Sequence, residues 1–485
     1  MATVLGAIDR TLAARRLRHR DKSKDAAAVA DATQPPGTDC LPQIRHIVLL
    51  MMENHSFDNY FGTLGHGEGL TQEADGGWGP SNERLDGGVV RPYRFPSTIQ
   101  HGGVPTQTWN ASHIQFADGN NDGFVSSIEQ TVPGGDPKVA MGYWTAEDLP
   151  FYADLARTFP LADRWFSSLL GPTFPNRRFL MAATANGLID DVFAGMLDYP
   201  RSGTIFDLLD RHRISWSNYH HAVGWTGLAR RVFGNVGIRS GRGLRLLSAN
   251  FFPQFLKIGL DNLQFTADIY PLGVLRCAGH LKPVSRFFQD ARDGTLPAVS
   301  IVDPDFQACS EENPQDVRIG EGFAAEVIKA VMGGKGWPDT LLIWFYDEHG
   351  GSFDHVPPPP AVEPDGVMPR SLLQVGGPLR WVLQQLGDWT KLKAADTGAG
   401  RYDRYGFRVP AVVVSPYAKP NYVSHTIYDH TSALKLIERK WNLPPLTARD
   451  AAANDPLDML DFDHPSFMDP PTLSPPAVPW SPSGT

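Results

Sequence analysis

The stretch Ile44-Arg45-His46-Ile47-Val48-Leu49-Leu50-Met51-Met52-Glu53-Asn54-His55-Ser56 decides the fold class. Residues 44–52 are apolar apart from Arg45 and His46, without alternation, as a strand buried on both faces requires. Four polar residues follow at once. A parallel strand delivers side chains to the crevice at its C-terminal end, so Glu53 and Asn54 are expected at a functional site.

Outward from that strand the same unit recurs. Strand-like runs are read at 214–219, 297–302, 340–346 and 407–414, alternating with helical patterns at 146–159, 204–212, 322–332 and 432–441. Alternation of this kind predicts an α/β domain whose largely parallel sheet is covered by helices on both faces. Residues 62–143 are rich in Gly, Asn, Asp and Trp and are expected to be insertions framing a pocket. Residues 1–40 read as a basic, frayed arm, 41–445 as the catalytic domain, and 446–485 as an acidic and then Pro-rich tail.

Lys and Arg number 44 against 53 Asp and Glu, a formal net charge of -9, so the basic excess of a nucleic-acid binder is missing and no such partner is expected. The 47 glycines and 41 prolines call for long ordered loops. Cys40, Cys277 and Cys309 form neither a disulfide framework nor a thiolate metal motif. The apolar runs fall far short of the ~20 residues that cross a bilayer, so no transmembrane segment is expected. Arg15-Arg16 imitates an export signal, but Arg18, Arg20, Lys22 and Lys24 stand where an apolar region belongs. A cytoplasmic location is therefore expected. Oligomeric state is not legible.

Three polar constellations end strands or open helices: Glu53-Asn54, Thr173 with Asn176 and Arg177, and Asp347-Glu348-His349-Gly350-Gly351. Three carboxylates and a carboxamide share a buried site only if a cation neutralises them, which calls for one divalent metal. A hard ion such as Ca2+ or Mg2+ is favoured, with Zn2+ open through His349 or His355. Exposed turn residues are the other reading of the same acids. In 171–177, Thr173 opens a helix, where N–H groups and the dipole favour an anion, with Asn176 and Arg177 as donors to phosphoryl oxygens. Its hydroxyl is either a nucleophile or simply the helix N-cap.

Residues 53–62 (Glu-Asn-His-Ser-Phe-Asp-Asn-Tyr-Phe-Gly), 171–177 (Gly-Pro-Thr-Phe-Pro-Asn-Arg) and 347–357 (Asp-Glu-His-Gly-Gly-Ser-Phe-Asp-His-Val-Pro) resemble the three signatures of the phosphoesterase family. That family holds bacterial phosphatidylcholine-type phospholipases C, plant non-specific phospholipases C and acid phosphatase A, within the alkaline phosphatase superfamily. The resemblance implies a three-layer α/β/α sandwich with a mixed, largely parallel sheet, a metal held by Glu53, Asn54, Asp347 and Glu348, and Thr173 as nucleophile. It also implies histidines around the phosphate: His113, and less directly the pair His220 and His221, one of them protonating the leaving oxygen. His430-Thr431-Ser432 resembles a further signature, with Thr431 or Ser432 expected to cap the last helix.

One departure stands out. Many members carry His-Pro before Asp-Val, whereas this chain has Asn313-Pro314 before Asp316-Val317. Asn313 can donate to a phosphoryl oxygen but cannot carry charge or transfer a proton. Residues 173–177 also fit the sulfatase spacing, but a threonine cannot become formylglycine. The expected function is metal-dependent hydrolysis of a phosphate ester, phospholipase C type cleavage through a phosphothreonine foremost, on a phospholipid or small phosphate ester. In the resemblance the phospholipases C carry threonine in this turn and acid phosphatase A carries serine. The alternatives are a broad acid phosphatase on monoesters, and a catalytically weak protein that binds phospholipid headgroups.

Overall fold

Every residue of His46–Met52 is buried, because neighbouring strands flank it on both edges and helical layers lie over the sheet. The structure is a computed structural model describing residues 31–99, 105–191, 199–221, 277, 279–370 and 400–481; the expected arm falls outside these except for 31–40. Eight strands build the main sheet: β1 (His46–Met52), β2 (Leu161–Ala162), β3 (Trp216–His220), β4 (Leu281–Pro283), β5 (Val299–Val302), β6 (Thr340–Tyr346), β7 (Ala411–Val414) and β8 (Val423–Ser424). Their spatial order is β4-β3-β5-β1-β6-β7-β2-β8. β1 lies at the centre, with Ile47 level with Val299 of β5 and Leu341 of β6.

All neighbouring pairs are parallel except the two that β7 makes with β6 and β2. The sheet is therefore mixed and largely parallel, and the C-terminal ends of β3, β5, β1 and β6 share one edge. Helices form two groups. Pro150–Thr158, Val284–Asp293 and Val317–Met332 pack together, as do Thr173–Ala182, Ile205–Arg211, His430–Lys440 and Ala448–Ala452. This is the expected α/β sandwich.

Several boundaries move for local reasons. Helix Val317–Met332 starts earlier than its apolar pattern, because the Asp316 side chain caps it by accepting from Arg318 N–H. The helix expected to be opened by Thr431 or Ser432 begins at His430, capped by Asp429 in a capping box with Ser432, so neither Thr431 nor Ser432 is the cap, and the short helix Ala448–Ala452 follows it. Within 62–143 the described chain forms short strand pairs and the helices Trp109–Phe116 and Phe124–Thr131, too brief to register as periodicity. No helix among the described residues is long and apolar enough to cross a membrane.

Within the described tail, residues 474–480 are pinned to the domain. Ser474 N–H donates to Asp154, Ala477 N–H donates to Glu321, and the Trp480 ring packs on Phe288 and Phe323. Gly322 allows this contact, since a Cβ there would lie 2.3 Å from the Val478 carbonyl oxygen.

Candidate active site

Because β1, β5 and β6 are parallel neighbours, the residues just beyond them meet: Glu53 and Asn54 after β1, Asp303 after β5, Asp347 and Glu348 after β6. All five are buried. Helix Thr173–Ala182 points its N-terminus at this edge, with Thr173 as its first residue and Pro172 at the cap position. Thr173 is thus not the cap. Its hydroxyl instead lies 3.4 Å from Asn54 Oδ1, and the side chain is 6% exposed.

Arg177 stands one turn further on the same helix face. Its Nε donates to Asp347 Oδ2 at 3.0 Å, while its Nη atoms reach Glu53 Oε1 at 3.2 Å and Asp303 Oδ1 at 3.5 Å. The ring of Phe306 covers the guanidinium at 5.0 Å. The sequence reading placed Arg177 on phosphoryl oxygens; the structure places it among carboxylates as their counter-ion. Asn176 also differs from expectation. Its Oδ1 accepts from Ser168 and Leu169 N–H, and its Nδ2 donates to the carbonyls of Gly171 and Pro172. The amide is spent on shaping the turn that presents Thr173.

One arginine does not neutralise these acids. Burial pushes the Glu53 carboxyl well above the usual range despite Arg177, and burial together with Asp347 does the same to Glu348. Asp347 is pushed up to about 6 by burial, against the pull of Arg177. Glu348 Oε2 accepts from Gly350 N–H, while its Oε1 is buried without a hydrogen-bond partner. Among the described residues no three His, Cys, Asp or Glu side chains are already gathered as a metal cage. The donor set nonetheless suits a hard cation: under-neutralised oxygens, one of them orphaned, with Asn54 alongside.

The histidines divide by role. His113 Nδ1 lies 2.7 Å from the Trp109 carbonyl, a contact that places the proton on Nδ1 and the lone pair on Nε2, and burial lowers its pKa. Its helix, Trp109–Phe116, carries Trp109 against Gly171 beside the Thr173 turn. His220 ends β3 next to the site, its pKa lowered by burial and raised in part by the charge of Asp303. His221 packs instead against Phe323 and Trp480, on the opposite side of the strand. His349 contacts Gln115 and Glu348, and His355 binds Asp58 within the Arg408–Asp354 cluster. His430 contacts the Asp347 carbonyl at 2.6 Å and so steadies the end of β6.

Sequence reasoning missed three acids here. Asp303 follows a strand as Glu53 does, a signal that was available. Asp191 accepts from Phe174 N–H at the start of the Thr173 helix, and the Glu312 charge reaches Glu53; neither carries a pattern. Asn313, next to Glu312, has a buried Oδ1 without a hydrogen-bond partner.

The chain is similar to several phospholipases C. Phospholipase C B of Mycobacterium tuberculosis is 32% identical over 471 residues, covering 90% of this chain and 81% of that protein. Hemolytic phospholipase C of Pseudomonas aeruginosa is 26% identical, covering 88% of this chain and 57% of its own length. Non-specific phospholipase C1 of Arabidopsis thaliana is 27% identical, covering 84% and 69%. Residues 44–444 match the Phosphoesterase family over the whole sheet and all three site segments, and the chain belongs to that family.

Proposed function

We propose that this phosphoric ester hydrolase performs phospholipase C type cleavage of a phospholipid diester, with Thr173 as nucleophile. The observation that carries the reading is the Thr173 hydroxyl, buried at a helix N-terminus and facing Asn54 rather than capping its own helix. The names of the relatives supply the substrate class.

Thr173 Oγ1 attacks phosphorus, the bond from phosphorus to the glycerol oxygen breaks, and diacylglycerol leaves with a proton. The phosphoryl headgroup stays on Thr173 until water releases it and restores the hydroxyl. The first helical N–H groups and the dipole hold the phosphoryl oxygens. His113 and His220, mostly neutral near pH 7, accept and return the protons. Arg177 keeps Glu53 and Asp347 in place, and Asn313 is a neutral donor to the substrate. Glu53, Asn54, Asp347 and Glu348 would hold one divalent cation, Ca2+ or Mg2+ foremost, which lowers the pKa of the threonine hydroxyl and offsets phosphoryl charge.

Incubating purified protein with phosphatidylcholine vesicles and analysing the products tests the reading. Diacylglycerol together with phosphocholine is expected. Release of inorganic phosphate from monoesters alone would favour the acid phosphatase alternative, and tight vesicle binding without products would favour the binding protein.

A further inference from the structure

Phe174 N–H donates to Asp191 Oδ1 at 2.8 Å, so a carboxylate stands one residue past the nucleophile on the first turn of helix Thr173–Ala182. That turn has few donors to give. Pro175 has no N–H, and the Asn176 N–H is directed at the Pro172 carbonyl oxygen at 3.4 Å. Among the described residues this leaves Thr173 N–H as the helix donor open to a phosphoryl oxygen. Solvent reaches Asp191, yet the protein packed around it desolvates the carboxyl and pushes it up to about 7 against the pull of Phe174 N–H, and the charge of Asp347 adds to the rise. Asp191 is therefore an anion on the wall of the site above that pH.

The two ester classes ask different things of this turn. A phosphomonoester presents three non-bridging oxygens that share nearly two negative charges, whereas a diester presents two such oxygens and one charge. The third oxygen of a monoester needs a donor, and Asp191 already holds one of the two that the turn offers. It also meets the Asp191 charge at close quarters, which is repulsive. A diester puts an uncharged ester arm in that place and escapes both penalties.

We propose that Asp191 is a specificity-determining residue: by occupying Phe174 N–H with a carboxylate beside the nucleophile, it disfavours dianionic phosphomonoesters and so favours diesters. The inference rests on the reading of Thr173 as nucleophile. It differs from a purely structural role in what it changes. Loss of a structural contact lowers both substrates together, whereas loss of the Asp191 charge moves one against the other.

The test uses purified full-length protein with divalent ion added, assayed on p-nitrophenyl phosphate and bis(p-nitrophenyl) phosphate at about pH 8.5, where Asp191 is ionised and histidines are neutral. Wild type is compared with Asp191→Asn, which keeps an acceptor but loses the charge, and with Asp191→Ala, which also frees the N–H. Melting temperatures are the folding control. The expected result is a rise of about tenfold in the monoester-to-diester ratio of kcat/KM for Asp191→Asn, a larger rise for Asp191→Ala, and tighter competitive inhibition of both by inorganic phosphate. If either variant does not fold, Asp191→Ser replaces it. An unchanged ratio in a folded variant overturns the inference alone. A wild type that prefers the monoester at this pH contradicts the diesterase reading, while the ratio in the variants still decides the role of Asp191. Full activity in Thr173→Ala removes the nucleophile, and the role of Asp191 fails with it.

Discussion

Thr173 Oγ1 and Asn54 Oδ1 lie 3.4 Å apart, which joins the first turn of a helix to the residue pair that ends the central strand. The proposed nucleophile gives the first expectation. Thr173→Ala should lower turnover of a soluble diester by at least about a thousandfold while leaving the melting temperature near wild type, because the attacking oxygen goes and only a small group is lost. Thr173→Ser should keep part of the rate, since the oxygen remains and only the methyl that restricts its rotamer is removed. Steady-state kinetics with circular dichroism as the folding control checks both.

Chelation should abolish activity, and adding back Ca2+ or Mg2+ should restore it, with Zn2+ as the comparison. Asn54→Ala and Asp347→Ala should be inactive at any ion concentration within reach. Full activity in exhaustively stripped protein would remove the cation from the account.

Substrate charge gives a third expectation. A monoester is nearly dianionic at neutral pH and needs more positive compensation than a diester. Here Arg177 is committed to carboxylates, Asn313 is neutral, and burial keeps the pKa values of His113 and His220 below the ordinary 6.5. Near pH 7 a diester such as bis(p-nitrophenyl) phosphate should therefore have a higher kcat/KM than p-nitrophenyl phosphate. Both histidines gain charge only as the pH falls below 6.5, so the monoester should gain on the diester toward pH 5. A monoester preference throughout pH 5 to 8 would contradict the diesterase reading.

A fourth expectation concerns stability. Glu311 is buried with hydroxyl donors from Tyr60 and Tyr152 at 2.5 and 2.6 Å and from Tyr346, and burial still pushes its carboxyl up to about 8 from an ordinary 4.5. Between those values the folded state holds a proton that the unfolded chain has released. Its contribution is therefore complete below pH 4.5 and is lost as the pH climbs through about 8. Denaturant unfolding from pH 5 to 8.5 should show stability falling with pH, and Glu311→Gln should flatten that slope. An identical slope in the variant would show that Glu311 does not titrate in this range.

The sequence showed the parts of the molecule that follow from local pattern. The apolar runs at 47–52 and 341–346 announced β1 and β6, and the polar residues after them marked the site edge. Short strands such as Leu161–Ala162 and Val423–Ser424 carry too few residues to form a pattern. The antiparallel course of β7 follows from chain path, which no window of residues encodes. At the site, residue type foretold the acids and the threonine, but not which partner each donor would find. Asn176 and Arg177 look like phosphate donors in one dimension. In three dimensions backbone carbonyls and carboxylates reach them first.

The central claim is that Thr173 carries the phosphoryl group during turnover. Quenching the enzyme in acid within milliseconds of mixing with a diester, followed by peptide mass spectrometry, tests it most directly. The account predicts a phosphoryl-headgroup adduct on the peptide containing Thr173, formed at the speed of the first product burst and absent in Thr173→Ala. Full turnover with no adduct on Thr173 at any quench time, and with Thr173→Ala still active, would contradict it.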